Sequence, residues 1–470
     1  MTLIHQTDDA IRYHARMDPQ FLELLACPRC DQPIEFDGKR LTSRGAGTEF
    51  PILNGVPFLF AEPTVTLDDW RSRYHARLAE IDDQSDLLEQ SLKSDISSDT
   101  TRDRLRHLHT ALRAHRDELV ELLKPLELKT EVADHSTYLA LRTRLPSDQG
   151  LATYYANLHR DWCWGDDENR RSLELVSSAL QDHDIGNLLV LGSGGGRLAY
   201  DLHEHLQPAR TVAVDFNPLL VLAAERIMRG DRVDLHEFPL APIDANSVAC
   251  ARTLSAPAPA AENFHHVLAN VLRAPFKPAT FDTLVTPWLG DVLAEPLTRQ
   301  VARWNQLLKP GGQWIWFGSH VFRTADPLER VSLEETLEII ADQGFSQPAV
   351  VESEIPYMVS PANRHARSER VVVMSMTKTE DTPKPPRHVA LPDWLVQGDL
   401  AVPLNDSFQS QAMSTRIHAF LMSMIDGKRT IQDMAALIEA ERLMSKAEAE
   451  ATLRSFFIQM FEVSNSYQGL

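Results

Sequence analysis

The sequence lacks any apolar run approaching the roughly 18 residues that a membrane-spanning helix needs, so we expect no transmembrane segment and no membrane partner. Its first residues, MTLIHQTDDAIRYHARMD, have no apolar core and no cleavage site, so no secretory signal is expected. Only 4 cysteines occur, and Cys27 and Cys30 are too close in sequence to suggest a disulfide framework. These absences favour a reducing compartment, and we expect a cytoplasmic protein.

Positive charge is also scarce, with 47 Lys and Arg against 66 Asp and Glu, which gives a net charge of −19. Binding to phosphates needs a clustered basic surface, so nucleic acid is not expected as the main partner. One basic run, residues 102–116, contains five arginines and three histidines. Its leucines recur at helical spacing, so this run is more often the solvated face of a helix than an RNA site.

The chain has 470 residues, which is too long for one ordinary core, and its pattern changes along its length. Residues 20–62 alternate short apolar runs with turn-forming residues, which predicts a small β-rich module. Residues 66–145 carry leucines at helical spacing and predict helices with a turn near 93–101. A polar, proline-rich linker at 379–388 precedes a mostly helical region at 389–470.

Residues 150–378 begin with a predicted helical pair at 150–182 and then alternate strands with helices. That alternation predicts an α/β fold with a doubly wound, mostly parallel sheet. A stretch rich in Pro, Ala and Ser at 239–261 interrupts the pattern and is expected to form an insertion or lid.

The strongest motif is LVLGSGGGR, in which a strand runs into Gly192, Ser193, Gly194 and Gly196 before a helix. Glycines allow positive φ and let a ligand approach the backbone N–H groups. The dinucleotide fingerprint would place a third glycine at position 197, where this sequence has Arg197. The spacing G-x-G-x-G is the one that S-adenosylmethionine (SAM)-dependent methyltransferases favour, so SAM is the expected cofactor.

Asp215 ends the second strand, at the place where an acidic residue can accept both ribose hydroxyls of a nucleoside. The simpler alternative is a strand-end aspartate beside a helix cap, because Asn217-Pro218 has the form of a helix start. Together with the glycine turn, the spacing favours nucleoside binding, with Asn217 among the expected cofactor contacts.

The segment VLANVLRAPFKPATFDTLVT is similar to a third methyltransferase landmark, the loop that contacts adenine. Asn270 stands where such enzymes usually have an acidic residue, and its amide oxygen can still accept a hydrogen bond from an amine. Val271 would flank the adenine. The segment LKPGGQWIWFG is a fourth landmark, a helix end, a turn and a late strand.

Region 150–378 resembles the carnosine N-methyltransferase family. The resemblance is carried by RDW at Arg160–Trp162, GSGGGRLAYDL from Gly192, FDTLVTPWLGDV from Phe281 and LLKPGGQWIWFGS from Leu307. It implies a Rossmann-like class I methyltransferase core that methylates an imidazole nitrogen of histidine-containing dipeptides. It also implies that the glycine turn and Arg197 bind SAM.

The same resemblance places Asp291 where the family has its substrate-orienting aspartate. A carboxylate there can hold an imidazole N–H, fix the tautomer and leave the other nitrogen free to attack a methyl group. The alternative is that Asp291 caps the helix predicted in DVLAEPLTRQV.

The sequence departs from the family near the final strand, where Ala366, Arg367 and Ser368 replace a tyrosine-rich stretch. The family's histidine is not in register either, and His320 and Arg323 are the nearest candidates. We therefore expect methyl transfer to a nitrogen of a small molecule or histidine-containing peptide, with Trp288, His320 and Arg323 as substrate contacts. Two alternatives stay open, a methyltransferase acting on RNA or protein through its accessory modules, and a non-catalytic SAM-binding scaffold.

Both terminal regions carry weaker resemblances. Residues 20–62 are similar to small zinc-ribbon-like methyltransferase activators, but a zinc site needs a tetrahedral ligand set and Cys27 and Cys30 supply only half of it, so no metal is predicted. In the tail, DGKRTIQDMAALI resembles PqqD-like winged-helix modules, which hold peptides. A protein or peptide partner would bind there, and a plain helical docking or dimerisation unit is the alternative.

Overall fold

The computed structural model describes residues 17–126, 150–180, 183–322, 324 and 326–468. Part of the predicted helical region 66–145 and the substrate candidate Arg323 therefore lie outside the described residues. The chain divides into two compact units, Met1–Ala390 and Leu391–Leu470. The first unit takes in the β-rich module, the helical region and the predicted methyltransferase region together.

The N-terminal module is β-rich, as predicted. A short helix α1 (Pro19–Leu22) leads into a three-stranded antiparallel sheet and a small hairpin. The sheet contains β1 (Glu35–Phe36), β2 (Leu41–Ser43) and β3 (Thr48–Phe50), and the hairpin contains β4 (Ile52–Leu53) and β5 (Val56–Pro57).

Two long helices follow, α2 (Pro63–Lys93) and α3 (Asp99–Leu122), and the turn between them lies where the sequence predicts it. Arginines of the basic run pair with nearby carboxylates, Arg102 with Asp99 at 2.9 Å and Arg116 with Asp82 at 2.7 Å. This local neutralisation is the behaviour of a solvated helix face.

The predicted helical pair before the sheet is also present, as α4 (Tyr155–His159) and α5 (Asp166–Ala179). A single π-helical turn, Arg160–Trp164, joins them. Such turns are rare and occur often at functional sites.

The central sheet has seven strands in the order β10-β7-β6-β11-β12-β14-β13, all parallel except β14. Its strands, and the β8–β9 pair beside it, are β6 (Asn187–Leu191), β7 (Arg210–Asp215), β8 (Val233–Glu237), β9 (Cys250–Leu254), β10 (Phe264–Leu268), β11 (Phe281–Pro287), β12 (Leu308–Gly318), β13 (Ala349–Tyr357) and β14 (Arg367–Thr377). The helices are α6 (Arg197–Leu206), α7 (Pro218–Met228), α8 (Leu297–Leu307) and α9 (Leu333–Asp342). The predicted α/β, Rossmann-like core is confirmed.

The order of the first five strands, β10-β7-β6-β11-β12, is the doubly wound order, and it reverses between β6 and β11. Ligands of such sheets bind outside the carboxyl ends of the strands at this reversal. The glycine turn follows β6 and Trp288 follows β11, so both lie at this edge.

The segment 239–261, expected to form an insertion or lid, is tied to the rest of the first unit by strand pairing and backbone hydrogen bonds. Its later part forms strand β9, which pairs antiparallel with β8. Its earlier part is held by backbone bonds, from Ile243 N to Ala362 O and from Arg364 N to Ala241 O.

The N-terminal module packs onto the edge of the central sheet. Leu59 N donates to Leu268 O at 2.7 Å, at the end of edge strand β10, and Ala26 N donates to Pro275 O at 2.8 Å. Phe21 and Leu25 share one apolar core with the sheet residue Val267. The module therefore covers a sheet edge that would otherwise be exposed.

The second unit is helical, as predicted, with α10 (Asp393–Gln397), α11 (Asp406–Ser423), α12 (Ile431–Ala440) and α13 (Lys446–Gln468). Its core includes Leu421, Met434 and Leu453. Residues 391–468 form no strand in the part that is described, so no wing is seen there. Across the described chain, no helix combines the length and apolar character needed to cross a membrane.

Candidate cofactor and acceptor site

The glycine turn adopts the conformation that its sequence predicts. Gly192, Gly194 and Gly196 have φ of +74°, +56° and +83°, a region that favours glycine. A Cβ on Gly192 would lie 2.9 Å from Leu289 Cδ1, whereas one on Gly194 would meet nothing within 4 Å. The turn therefore faces open space at Gly194, where a ligand can approach the backbone.

Asp215 lies beside this turn and is buried. Its Oδ2 accepts a hydrogen bond from Gly194 N at 2.9 Å, and its Oδ1 accepts from Asn217 N at 3.0 Å. Burial raises the pKa of Asp215, and the backbone N–H groups only partly offset that rise. Each carboxylate oxygen keeps further acceptor capacity, so two hydroxyl donors can still bind.

A cavity of ≈ 400 Å³ opens at the carboxyl edge of the sheet. Its wall includes most of the predicted cofactor contacts, namely Gly192, Ser193, Gly194, Asp215, Asn270 and Val271. Ser193 Oγ is buried and has no hydrogen-bond partner among the described residues. Among the described residues, the charged lining consists of three carboxylates, Asp161, Glu168 and Asp215, and one guanidinium, that of Arg160. This balance suits a ligand with net positive charge better than the pyrophosphate of a dinucleotide.

Arg160 is a charged residue of this cavity that the sequence did not predict as a contact. Its Nε donates to Asp161 Oδ1 at 2.8 Å and its Nη1 to Glu168 Oε1 at 3.0 Å. Burial alone would lower the pKa of Arg160, but these two carboxylates raise it, so the side chain stays cationic. Burial in turn raises the pKa of Glu168. The segment RDW was part of the family resemblance, yet its spacing from the glycine turn indicated no shared cavity.

Three predicted cofactor contacts, Gly196, Arg197 and Asn217, do not line this cavity. Gly196 N donates to Ser193 O at 2.9 Å within the turn itself. Arg197 Nη1 donates to Asp161 O at 2.7 Å, which fixes the π-helical turn against α6. Asn217 caps α7 by accepting from Leu219 N at 3.0 Å, and its amide also donates to Leu151 O at 3.0 Å. The side chains of Arg197 and Asn217 therefore hold segments that line the cavity.

Asn270 and Val271 line the cavity as predicted. Asn270 Oδ1 already accepts from Leu272 N at 2.9 Å, which caps the short 3-10 turn Val271–Arg273. The amide oxygen of Asn270 would therefore be shared between this cap and a ligand. The sequence did not predict the capping bond.

A second cavity of ≈ 800 Å³ adjoins the first and shares part of its wall, including Tyr154, Trp288 and Tyr357. Trp288 has φ of +51° and packs at 5.0 Å from the ring of Tyr357 and at 5.9 Å from that of Phe317. Aromatic rings therefore form the boundary between the two cavities.

Asp291 lies in the wall of this second cavity. It is 5% exposed; its Oδ2 accepts from Ser319 Oγ at 2.7 Å and from Val321 N at 2.9 Å. Its Oδ1 has no hydrogen-bond partner within the described part of the chain. Helix α8 begins at Leu297 with Pro296 as its N-cap, so the alternative that Asp291 caps this helix is wrong.

His320 lines neither cavity. Its Nε2 lies 2.8 Å from Thr336 Oγ1, its ring packs 5.0 Å from that of Phe322, and burial lowers its pKa. Of the three predicted substrate contacts, Trp288 is therefore in the wall, His320 is set back from it, and Arg323 lies outside the described residues.

The N-terminal module contributes Phe60 to the wall of the first cavity, which the sequence did not predict. In the same module, Cys30 Sγ lies 3.5 Å from Ser43 Oγ. In the part of the chain that is described, no three His, Cys, Asp or Glu residues group as a metal site.

The N-terminal region is similar in sequence to proteins of one known family. A UPF0434 protein from Hyphomonas neptunium is 38% identical over 65 residues, which cover 13% of this chain and 76% of that protein. The chain therefore belongs to the UPF0434 family through its N-terminal region. No family model matches the chain.

Solved structures similar to this chain include the N-methyltransferase NodS from Bradyrhizobium japonicum, at 14% identity and a TM-score of 0.32, over 46% of this chain and 99% of that one. Another is phosphoethanolamine N-methyltransferase 2 from Haemonchus contortus, at 15% identity and a TM-score of 0.30, over 44% of this chain and 47% of that one. The carnosine N-methyltransferase and PqqD-like resemblances are not confirmed by these comparisons.

Proposed function

We propose that this chain, a UPF0434 family member through its N-terminal region, is a SAM-dependent methyltransferase that acts on a nitrogen of a small molecule or peptide. The observation that carries the proposal is the buried Asp215, tied to Gly194 N at 2.9 Å in the wall of a cavity with a net acidic lining. SAM combines a ribose with a net positive charge, and both properties match this wall.

The residues of the first cavity fit the parts of SAM in order. Asp215 would accept the ribose hydroxyls, and Asn270 and Val271 would contact the adenine. Arg160 would hold the carboxylate of the amino acid part, and Glu168 would face its ammonium group. When bound, SAM supplies an electrophilic methyl group.

The second cavity supplies the acceptor side. Asp291 Oδ2 is fixed by Ser319 and Val321, so its free Oδ1 is held in one place and can accept an N–H of the acceptor. In an imidazole, that bond would leave the other nitrogen with its lone pair available. Trp288 and Tyr357 would exclude water and stabilise a cationic nitrogen by their ring faces.

A macromolecular acceptor is the second candidate, because the chain carries an accessory module. Two features weigh against it. The apolar face of the module is buried against edge strand β10, and the arginines Arg102 and Arg116 are neutralised by carboxylates.

The test is a search for a methylated product. The purified chain would be incubated with methyl-labelled SAM and a panel of imidazoles, amines, histidine-containing peptides, RNA and protein, followed by mass spectrometry. We expect a product in the small-molecule or peptide fraction. Label found only in RNA or protein would favour the second candidate, and no product in any fraction would favour a scaffold.

A further inference from the structure

A third cavity lies outside the site described above. It has a volume of ≈ 680 Å³ and is enclosed by α2 and α3 on one side and by the loops after β8 and β13 on the other. Its wall is largely apolar, with Leu88, Leu108, Leu112, Phe238 and Met358 among its members. This volume falls in the range of roughly 300–1,000 Å³ that small-molecule sites occupy.

The rim of this cavity is apolar as well. Leu87 on α2 and Leu240 after β8 are 57% and 80% exposed, and both line the opening. Large apolar side chains grouped at the mouth of a concave site are typical of ligand entry points.

One short segment separates this cavity from the proposed cofactor cavity. Tyr155 and His159 line the third cavity, whereas Asn157 and Arg160, which alternate with them, line the cofactor cavity. The two cavities therefore lie on opposite faces of α4 and the turn after it, and they share the ring of Tyr357.

Three side chains of the wall, His159, Trp164 and Arg77 (at Nε), have buried polar atoms that lack a hydrogen-bond partner among the described residues. His159 is fully buried, and neither of its ring nitrogens has a partner at hydrogen-bond distance and angle within the described chain. The backbone of His236 is near enough to raise the pKa of His159, an effect that burial outweighs. Trp164 Nε1 is a buried donor, also without a partner among the described residues. Buried polar groups are nearly always satisfied in native proteins, so unsatisfied ones at a cavity wall indicate a missing ligand or water.

The charges around the cavity are already compensated. Arg77 pairs with Glu80 at 3.3 Å, Glu237 with Arg252 at 2.8 Å and Arg367 with Glu369 at 2.5 Å. Burial lowers the pKa of His159 to about 3, so its ring is neutral at physiological pH and offers one donor and one acceptor. Each charged side chain of the wall therefore has a counter-ion, and Arg77 Nε is a further donor that an oxygen of a neutral ligand can meet.

We propose that this cavity is a separate binding site for a neutral, largely apolar molecule that carries one hydrogen-bonding group, which His159 and Trp164 recognise. The site does not depend on the proposed methyl transfer, because its wall contains neither Asp215 nor Asp291.

The probe for this site is 2-naphthol, a fluorescent molecule with an apolar body and one hydroxyl. We expect saturable one-to-one binding to the full chain, and weaker binding of naphthalene, which lacks the hydroxyl. S-adenosylhomocysteine should not displace the probe. Displacement would place the probe in the cofactor cavity and overturn the proposal, as would no saturable binding up to the solubility limit.

Variants locate the bound probe. His159→Phe keeps a ring of similar size and should lower the affinity for 2-naphthol by about five- to tenfold, the value of one hydrogen bond, while leaving naphthalene unchanged. His203→Phe is the matched control, because His203 is a buried histidine bonded to Thr211 and lines none of the three cavities. Leu108→Trp places a larger side chain in the wall and should weaken binding of both probes.

Trp164→Phe provides a second route if His159→Phe does not fold, because it removes another unpartnered donor of the wall. The proposal would be overturned if the affinity for 2-naphthol were unchanged in Leu108→Trp and also unchanged in His159→Phe or Trp164→Phe.

Discussion

Variants of Asp291 distinguish the structural role of its Oδ2 from the proposed substrate-binding role of its Oδ1. Oδ2 is committed to Ser319 Oγ at 2.7 Å and Val321 N at 2.9 Å, while Oδ1 has no partner in the described chain. In Asp291→Asn the amide oxygen can still accept from both donors, so the loop after β12 should keep its conformation. The amide nitrogen would then take the place of Oδ1. It would present an N–H donor to the N–H of the methyl-accepting substrate, which needs an oxygen there.

The size of the effect follows from the bond that is lost. A hydrogen bond to a charged group contributes about 1.5–3 kcal/mol, so methyl transfer should fall by about 10- to 150-fold if the bond is felt in the transition state. Affinity for S-adenosylhomocysteine should stay within about twofold, because Asp291 does not line the cofactor cavity. Asp291→Ala should lose activity similarly and should also melt earlier, since Ser319 and Val321 N lose their acceptor.

The assay is formation of S-adenosylhomocysteine with an acceptor identified by the labelled-methyl search, beside melting curves for each variant. Asp326→Ala is the matched control, because Asp326 is an exposed aspartate that caps a short turn by accepting from Leu328 N. Wild-type turnover in a stably folded Asp291→Asn protein would refute the role of Oδ1.

Three further predictions concern the N-terminal module and its contact with the sheet. Phe58→Asp should destabilise the first unit by about 3–5 kcal/mol, because it buries an unpaired charge at a fully buried position. Val389→Asp, at an exposed position, should change the stability little. Urea unfolding measures both variants, and equal effects would contradict the packing of the N-terminal module on the sheet. Burial, aided by Arg210, lowers the pKa of His265 to about 4. As the pH falls, this histidine therefore takes up a proton in the unfolded chain before it does so in the folded chain. The free energy of unfolding should fall by up to about 3 kcal/mol as the pH drops from about 6.5 to 4. His265→Phe should flatten that dependence, and an unchanged slope in unfolding experiments at several pH values would argue against it. Purified protein should contain substoichiometric zinc and keep its melting temperature in chelator, and one tightly held zinc per chain that Cys27→Ser removes would show ligands that the sequence does not indicate.

Much of the central fold could be predicted because its strands are fully buried. NLLVL and RTVAVD are apolar runs with glycines or an aspartate at their ends, the pattern of parallel strands covered on both faces. The order of these elements is enough to indicate a doubly wound sheet. The glycine turn was equally clear, because its three positive φ angles permit few other residues.

Other elements were hidden for physical reasons. Strand β13, AVVESEIPY, is an edge strand with polar residues on an exposed face, so it carries little apolar signal. Strands β8 and β9 form a two-stranded ribbon in which one member lies within a segment rich in Pro, Ala and Ser.

The cofactor cavity was predicted only in part, for a similar reason. Asp215 and Asn270 follow strands whose ends meet at one edge, so their proximity could be inferred. Arg160 and Phe60 reach the same cavity from a π-helical turn and from a separate module, and no spacing rule connects them to the glycine turn. Arg197 and Asn217 were themselves predicted as cofactor contacts, but their side chains bind protein groups instead.

The most direct test of the central claim is calorimetry with S-adenosylhomocysteine on the wild-type chain and on Asp215→Ala. The account predicts one site per chain for the wild type. For Asp215→Ala it predicts at least about a 100-fold loss of affinity, the value of two hydroxyl hydrogen bonds to a carboxylate. Asp234→Ala, at an exposed aspartate outside the cofactor cavity, should bind as the wild type does. No heat and no thermal shift with the wild-type chain at high ligand concentration would contradict the claim that this is a SAM-binding protein.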